Sequence, residues 1–139
     1  MVEWESFARD GLRRTGPGDH VTLVYHVSTV FSAGLFLFYG FACLFANGMV
    51  DEFKRFGLSQ FRRLTGSLEL LGAIGLLVGY VVPVFALVSA LGLAALMALG
   101  VGTRVRARDS LIETAPAAVL MVMNAFIAWH AWRMLSSAP

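Results

Sequence analysis

Leu70–Thr103 reads LLGAIGLLVGYVVPVFALVSALGLAALMALGVGT, 34 residues without an Asp, Glu, Lys or Arg. As one α-helix it would be about 51 Å long, against a bilayer hydrocarbon core of about 30 Å, so the stretch must turn back on itself. Pro83, following Gly79-Tyr80-Val81-Val82, is the break. Two helices joined by so short a turn form an antiparallel hairpin, expected over 62–81 and 84–103. Two further charge-free runs, Val21–Val50 and Thr114–Trp132, place additional spans over 21–46 and 113–134. The expected fold is therefore an all-α membrane protein. It is a four-helix transmembrane antiparallel bundle, because closed helices satisfy their own backbone groups in lipid.

The composition agrees. Of the 139 residues 58% are hydrophobic and 14% charged, with a mean hydropathy of +0.71. Soluble domains are about 45–50% apolar and about 25% charged. The net charge of +2 and pI near 9.1 come from eleven basic residues set in short runs beside apolar segments. That distribution suits topology signals and headgroup contacts, and it excludes a nucleic-acid partner. Loops 1 and 3 carry Lys54, Arg55, Arg62, Arg63, Arg104, Arg106 and Arg108, whereas the opposite side carries Arg9, Arg13, Arg14 and Arg133. The positive-inside rule places loops 1 and 3 in the cytoplasm of a bacterial cytoplasmic membrane.

Three units follow: an N-terminal segment over 1–20, a transmembrane domain over 21–135 and a short tail over 136–139. The first apolar run starts too late and is too long for a signal peptide. Trp4–Arg14 reads as an interfacial helix, with Trp4 and Phe7 on its apolar side and charges around them. Loop 1 reads as an amphipathic helix. Asn47 would cap it, Asp51 and Glu52 fall early, Lys54 and Arg55 fall late, and Gly57 suits its C-terminal stop. Met49, Val50, Phe53 and Phe56 form its apolar stripe, so the helix should lie on the membrane surface or fold back onto the bundle. With Trp4 and Phe7, Phe53 and Phe56 are candidates for a membrane or partner surface. Ser59 would cap the next span.

Small residues mark close helix contacts in lipid. Ala86, Ala90, Ala94, Ala98 and Gly102 recur every fourth position, and Gly72, Gly75 and Gly79 line the preceding helix. These faces are expected to pack together.

Arg62, Arg63, Glu113 and Arg133 lie at the edges of expected spans, and Glu69 is the one formal charge farther inside one. An acid there costs about 2.5–3.5 kcal/mol on insertion scales. Its role is open between a protonatable site, a hydrogen-bond anchor and a partner of Arg62 or Arg63. Chain direction puts Tyr39 and Cys43 at its depth, so the three are the candidate ligand or proton site. His26, His130 and Tyr80, with Tyr25 and Trp129, belong to a second layer near the other membrane face. They are either an interfacial aromatic belt or a ligand layer. No carboxylate or thiolate lies there to complete a metal site, so no metal is expected. Ser28 and Ser32 extend a mildly polar line on the first helix, and Asn124 in the last helix needs a partner. Cys43 is the lone cysteine, so no internal disulfide can form. No nucleotide-binding, metalloprotease or nucleophile-elbow motif is present, and no catalytic set is legible.

The runs Tyr39–Leu44, Phe53–Leu58 and Leu64–Leu77, with Gly92–Met97, resemble the DoxX-like family of small four-helix integral membrane proteins. The most specific block runs from Gly66 to Leu77, where Glu69 matches the family's intramembrane acid. The chain departs from the family pattern at Cys43, a Lys in many members, and near Thr103–Arg104, where many carry His. The resemblance implies a membrane protein of the sulfur- or quinone-redox or assembly-factor kind. The leading expectation is a non-catalytic accessory or anchoring subunit of a larger membrane complex, in contact with lipid and with membrane-protein partners. The alternatives are a quinone- or apolar-ligand-binding redox protein using Glu69, with quinone or lipid as the bound group, and a small proton-coupled transporter.

Overall fold

A computed structural model describes residues 3–6, 9 and 17–138. Its regular elements are helical, with no strand among the described residues. They are α1 (Pro17–Phe45), α2 (Asn47–Arg55), a 3-10 turn (Ser59–Phe61), α3 (Arg62–Val78), α4 (Pro83–Arg106) and α5 (Leu111–Ser137). α1 from Gly18 onward, α4 and α5 are long and apolar enough to cross a membrane. α3 has 17 residues, about 26 Å at 1.5 Å per residue. It stops at Val78 rather than at 81. The amides of Gly79, Tyr80, Val81 and Val82 tighten into a turn on the carbonyls of Gly75, Leu77 and Val78. Val82 is extended, as a residue before proline prefers, and Pro83 opens α4.

The long helices and α3 pack in a ring, α1 against α3, α3 against α4, α4 against α5 and α5 back against α1. Phe36, Leu76, Leu93 and Ile127 are fully buried in its centre, with Ala33, Ala73, Ala90 and Ala128 between them. Halfway along the bundle Asn124 finds its partner. Its amide donates to Ser32 Oγ at 2.9 Å and to the Leu120 carbonyl at 2.8 Å. Thr29, one turn from Ser32, is also buried and donates to the Tyr25 carbonyl at 2.7 Å.

Glycines fix two seams. A Cβ on Gly79 would lie 2.5 Å from Ala86 Cβ and 2.7 Å from its backbone nitrogen, and one on Gly72 would lie 2.6 Å from Leu93. A Cβ on Gly75 would collide with the Ser89 hydroxyl. The α3–α4 seam is thus closed near the turn, where Ala86 and Ala90 are buried. The expected five-residue stripe does not continue. Ala94 is half-buried, and Ala98 and Gly102 are exposed. Each fourth residue advances about 40° around a helix of 3.6 residues per turn, so five of them sweep about 160° and leave any straight seam. The second seam was not anticipated from sequence. Gly40 of α1 and Gly66 of α3 face each other, each so close that a Cβ would lie 3.0 Å from the other's carbonyl oxygen.

Helix ends differ from expectation where neighbouring chain intervenes. Ala46, not Asn47, is the N-cap of α2, because one residue links it to α1. Ser59 begins the 3-10 turn and does not cap α3. At the end of α2, Gly57 has φ of 71°, with Gly57 N–H on Lys54 O and Leu58 N–H on Phe53 O, a Schellman closure. α4 ends the same way, but Arg108 occupies the left-handed position with φ of 60°. α5 starts at Leu111, two residues before 113, through a reciprocal Ser110–Glu113 capping box. Of the N-terminal helix, Glu3–Ser6 are helical and Trp4 is exposed. Phe7 lies outside the described residues.

Candidate functional site

The α3–α4 seam that closes at Gly79 opens toward Glu69. There the bundle forms a cavity of about 670 Å³, open on the side of the exposed Leu64, Leu68 and Leu99, and its wall includes Tyr39 and Cys43 from α1, Leu96 and Met97 from α4, and Pro116 and Leu120 from α5. Glu69 is 5% exposed, and its Oε2 has no hydrogen-bond partner among the described residues. Cys43, also buried, is its nearest polar side chain, and Tyr39 is half-buried on the wall. The three residues are thus assembled in one place. Arg62 is not the acid's partner. Its guanidinium donates to the Cys43 carbonyl and, at 3.0 Å, to the Leu44 carbonyl. It therefore caps the C-terminal end of α1, where a cation also suits the helix dipole. No ion pair joins Glu69 to Arg62 or Arg63.

α2 roofs this cavity. Met49, Phe53 and Phe56 turn into it and are half-buried. Phe53 and Phe56 thus face the bundle, one of the two placements expected for this helix. The reason lies in charges from distant loops. Arg55 holds Asp109 through two bonds of 2.9 Å, Arg104 reaches Asp109 at 3.1 Å and Glu52 at 3.2 Å, and both guanidiniums lie over the Phe56 ring. These pairs draw α2 onto the α4–α5 loop. The Asp109 side chain is 3% exposed. Hydrogen bonds from Arg55 hold its carboxyl below the usual carboxylate range, helped by those from Arg104, and Asp109 in turn raises Arg55. Sequence reading missed Asp109, because an acid next to three arginines looks like a solvated loop. Its importance comes from the Schellman closure that aims it back at α2.

The second layer also assembles. His26 and Tyr80 stack at 5.4 Å with His26 Nδ1 3.3 Å from the Tyr80 hydroxyl, and Tyr25 stacks on His130 at 4.3 Å. Trp129 is half exposed and carries Arg133 over its ring. His130 Nδ1 is buried without a hydrogen bond. No group of three His, Cys, Asp or Glu side chains suited to a metal ion occurs among the described residues. This layer is a wedge of rings between α1, α5 and the α3–α4 turn.

The model of the DoxX-like family matches residues 27–127, and the chain belongs to that family. No curated protein and no solved structure matches it. Family membership and the three long apolar helices make it an integral membrane protein. The matched span contains the whole wall of the Glu69 cavity.

Proposed function

Starting from that membership, we propose that the chain spans the membrane four times and holds an apolar, membrane-soluble molecule in the Glu69 cavity. The fourth crossing is α3. Its 17 helical residues are lengthened at one end by the 3-10 turn and at the other by Gly79–Val82, and Leu64, Leu68, Leu71, Ile74 and Leu77 present an apolar outer face. Loops 1 and 3 face the cytoplasm on the count of basic residues.

One observation carries the ligand-binding reading. A carboxyl group is buried in an apolar cavity with an oxygen that none of the described residues satisfies. Such a group is costly to bury alone, and a ligand that donates to it removes that cost. Ligand sites are commonly apolar clefts of about 300–1,000 Å³ with a few placed polar groups. A quinol, with its hydroxyl donors and apolar ring, has the required chemistry, and so do other lipophilic donors. The accessory-subunit reading rests on the family alone. The cavity moves the weight toward binding, and a protein of this kind can bind its ligand within a larger complex.

The test is ligand affinity as a function of pH for the wild type and Glu69→Gln, using decylubiquinol in detergent. Wild-type affinity should change as Glu69 titrates, whereas the variant should bind with a flat pH profile and reduced affinity. Identical profiles would remove Glu69 from the function.

A further inference from the structure

The Glu69 cavity has a neighbour. A second cavity of about 450 Å³ runs in the α1–α5 seam, between Phe31 and Leu35 on one side and Ala115 and Val119 on the other. Phe31 and Val119 are each 55% exposed on the outside of the bundle, so in a bilayer this groove opens to lipid. Tyr39, Pro116 and Leu120 belong to both walls. The groove therefore adjoins, across a wall that includes a half-buried tyrosine, the chamber that holds the Glu69 oxygen left unpartnered among the described residues. The aqueous end of that chamber is covered differently. α2 lies over it, tied down by Arg55, Arg104, Glu52 and Asp109. An apolar molecule dissolved in the membrane meets no such barrier at the seam.

The geometry points to lateral entry of an amphiphile with one apolar chain, whose hydroxyl or amine head donates to Glu69 while its tail lies in the α1–α5 groove. This inference rests on the ligand-binding reading above and deepens it, by assigning the route, the tail site and the head chemistry. A donating head fits Glu69 in its ionised form, whose oxygens only accept, and one of them has no partner among the described residues. One chain follows from a groove only one helical seam wide. The tail site is apolar on every wall residue but the Tyr39 hydroxyl. The shared wall of Tyr39, Pro116 and Leu120 sets head site and tail site side by side, so that a shift of these side chains joins them.

The experiment uses the full chain in lipid nanodiscs, with diazirine-bearing dodecanol and dodecylamine as photoprobes and cross-links mapped by mass spectrometry. Unlabelled dodecanol, dodecylamine and dodecyl methyl ether serve as competitors. The tail diazirine should label residues 31–35 and 112–119. Protection by the alcohol or the amine should exceed protection by the ether at least tenfold. Protection by the alcohol alone identifies a hydroxyl head, and protection by the amine alone a cationic head. Val119→Trp fills the groove from the lipid face without touching the core and should cut tail labelling at least fivefold. Ala115→Phe, on the same wall, serves if that variant is misfolded by circular dichroism. Labelling on α2 that neither variant reduces would overturn lateral entry and leave the Glu69 cavity standing. Donors and ether competing equally, with no effect of Glu69→Leu, would overturn the cavity reading itself.

Discussion

The two ends of the bundle are built from similar residues and do opposite things. At the turn end, α3 and α4 meet through Gly72, Gly75 and Gly79, and the polar groups that come near are aromatic rings stacked on one another. At the loop end, the same two helices part, Leu96, Met97 and Leu68 replace glycine contacts, and one oxygen of a buried carboxyl has no partner among the described residues. Small residues are present at both ends, since Ala98, Gly100 and Gly102 are as small as anything near the turn. What differs is their phase. Backbones approach only where the small residues of both helices face the same seam. A repeat of four drifts off that seam within a few turns. The roof helix α2 then covers the gap that the drift leaves.

This contrast can be broken most severely at its closed end. Gly79→Leu drives a side chain into the Ala86 backbone, which cannot yield as a flexible side chain can, and should cost about 3 kcal/mol of stability. Gly102→Ala should be tolerated or gain about 0.5 kcal/mol, since a Cβ there meets nothing within 4 Å. Thermal unfolding in one detergent checks both, and equal effects would erase the difference between the ends. Between them, Asn124→Ala removes the Ser32 tie at mid-bundle and should cost about 1 kcal/mol in the same assay.

The open end is held by charge, so acid should probe it. The Asp109 carboxyl is held below its ordinary range mainly by Arg55. A depressed value in the folded state adds stability above the unfolded value of about 4 and loses it as pH falls through the folded one. Wild type should therefore lose roof closure below about pH 4, read as proteolytic cleavage within 46–61, whereas Asp109→Asn should be cleaved at neutral pH already. The effect is smaller than that at the glycines, because Arg55 is half exposed and salt screens it. The smallest expected change runs the other way. Arg108→Gly relieves a left-handed residue at φ of 60° and should raise stability by about 0.5 kcal/mol, read as a small rise in Tm.

Much of the framework was legible in the chain. The break at Pro83, the loop-1 helix, the stop at Gly57 and the inward Asn124 all follow from local chemistry. The Ser110–Glu113 box was equally readable in its S-x-x-E spacing, and reading it would have set the start of α5 correctly. The Gly40–Gly66 crossing carries no such mark. One glycine in each of two helices signals nothing until the helices are side by side. Arg62 misled for a related reason. Its distance from Glu69 along one helix says nothing of carbonyls on another.

The sequence by itself determined that this is a membrane protein of apolar helices, where the chain turns, and that Glu69 stands apart from every other charge. Those are statements about hydropathy, backbone sterics and solvation, which act locally. The tertiary structure decided the rest. It set Tyr39 and Cys43 around Glu69, left one oxygen of that carboxyl without a partner among the described residues, folded Phe53 and Phe56 inward, and set a second groove against the chamber. Each of these depends on the phase at which two helices meet, and a cavity exists only where side chains far apart in the chain fail to fill the space between them.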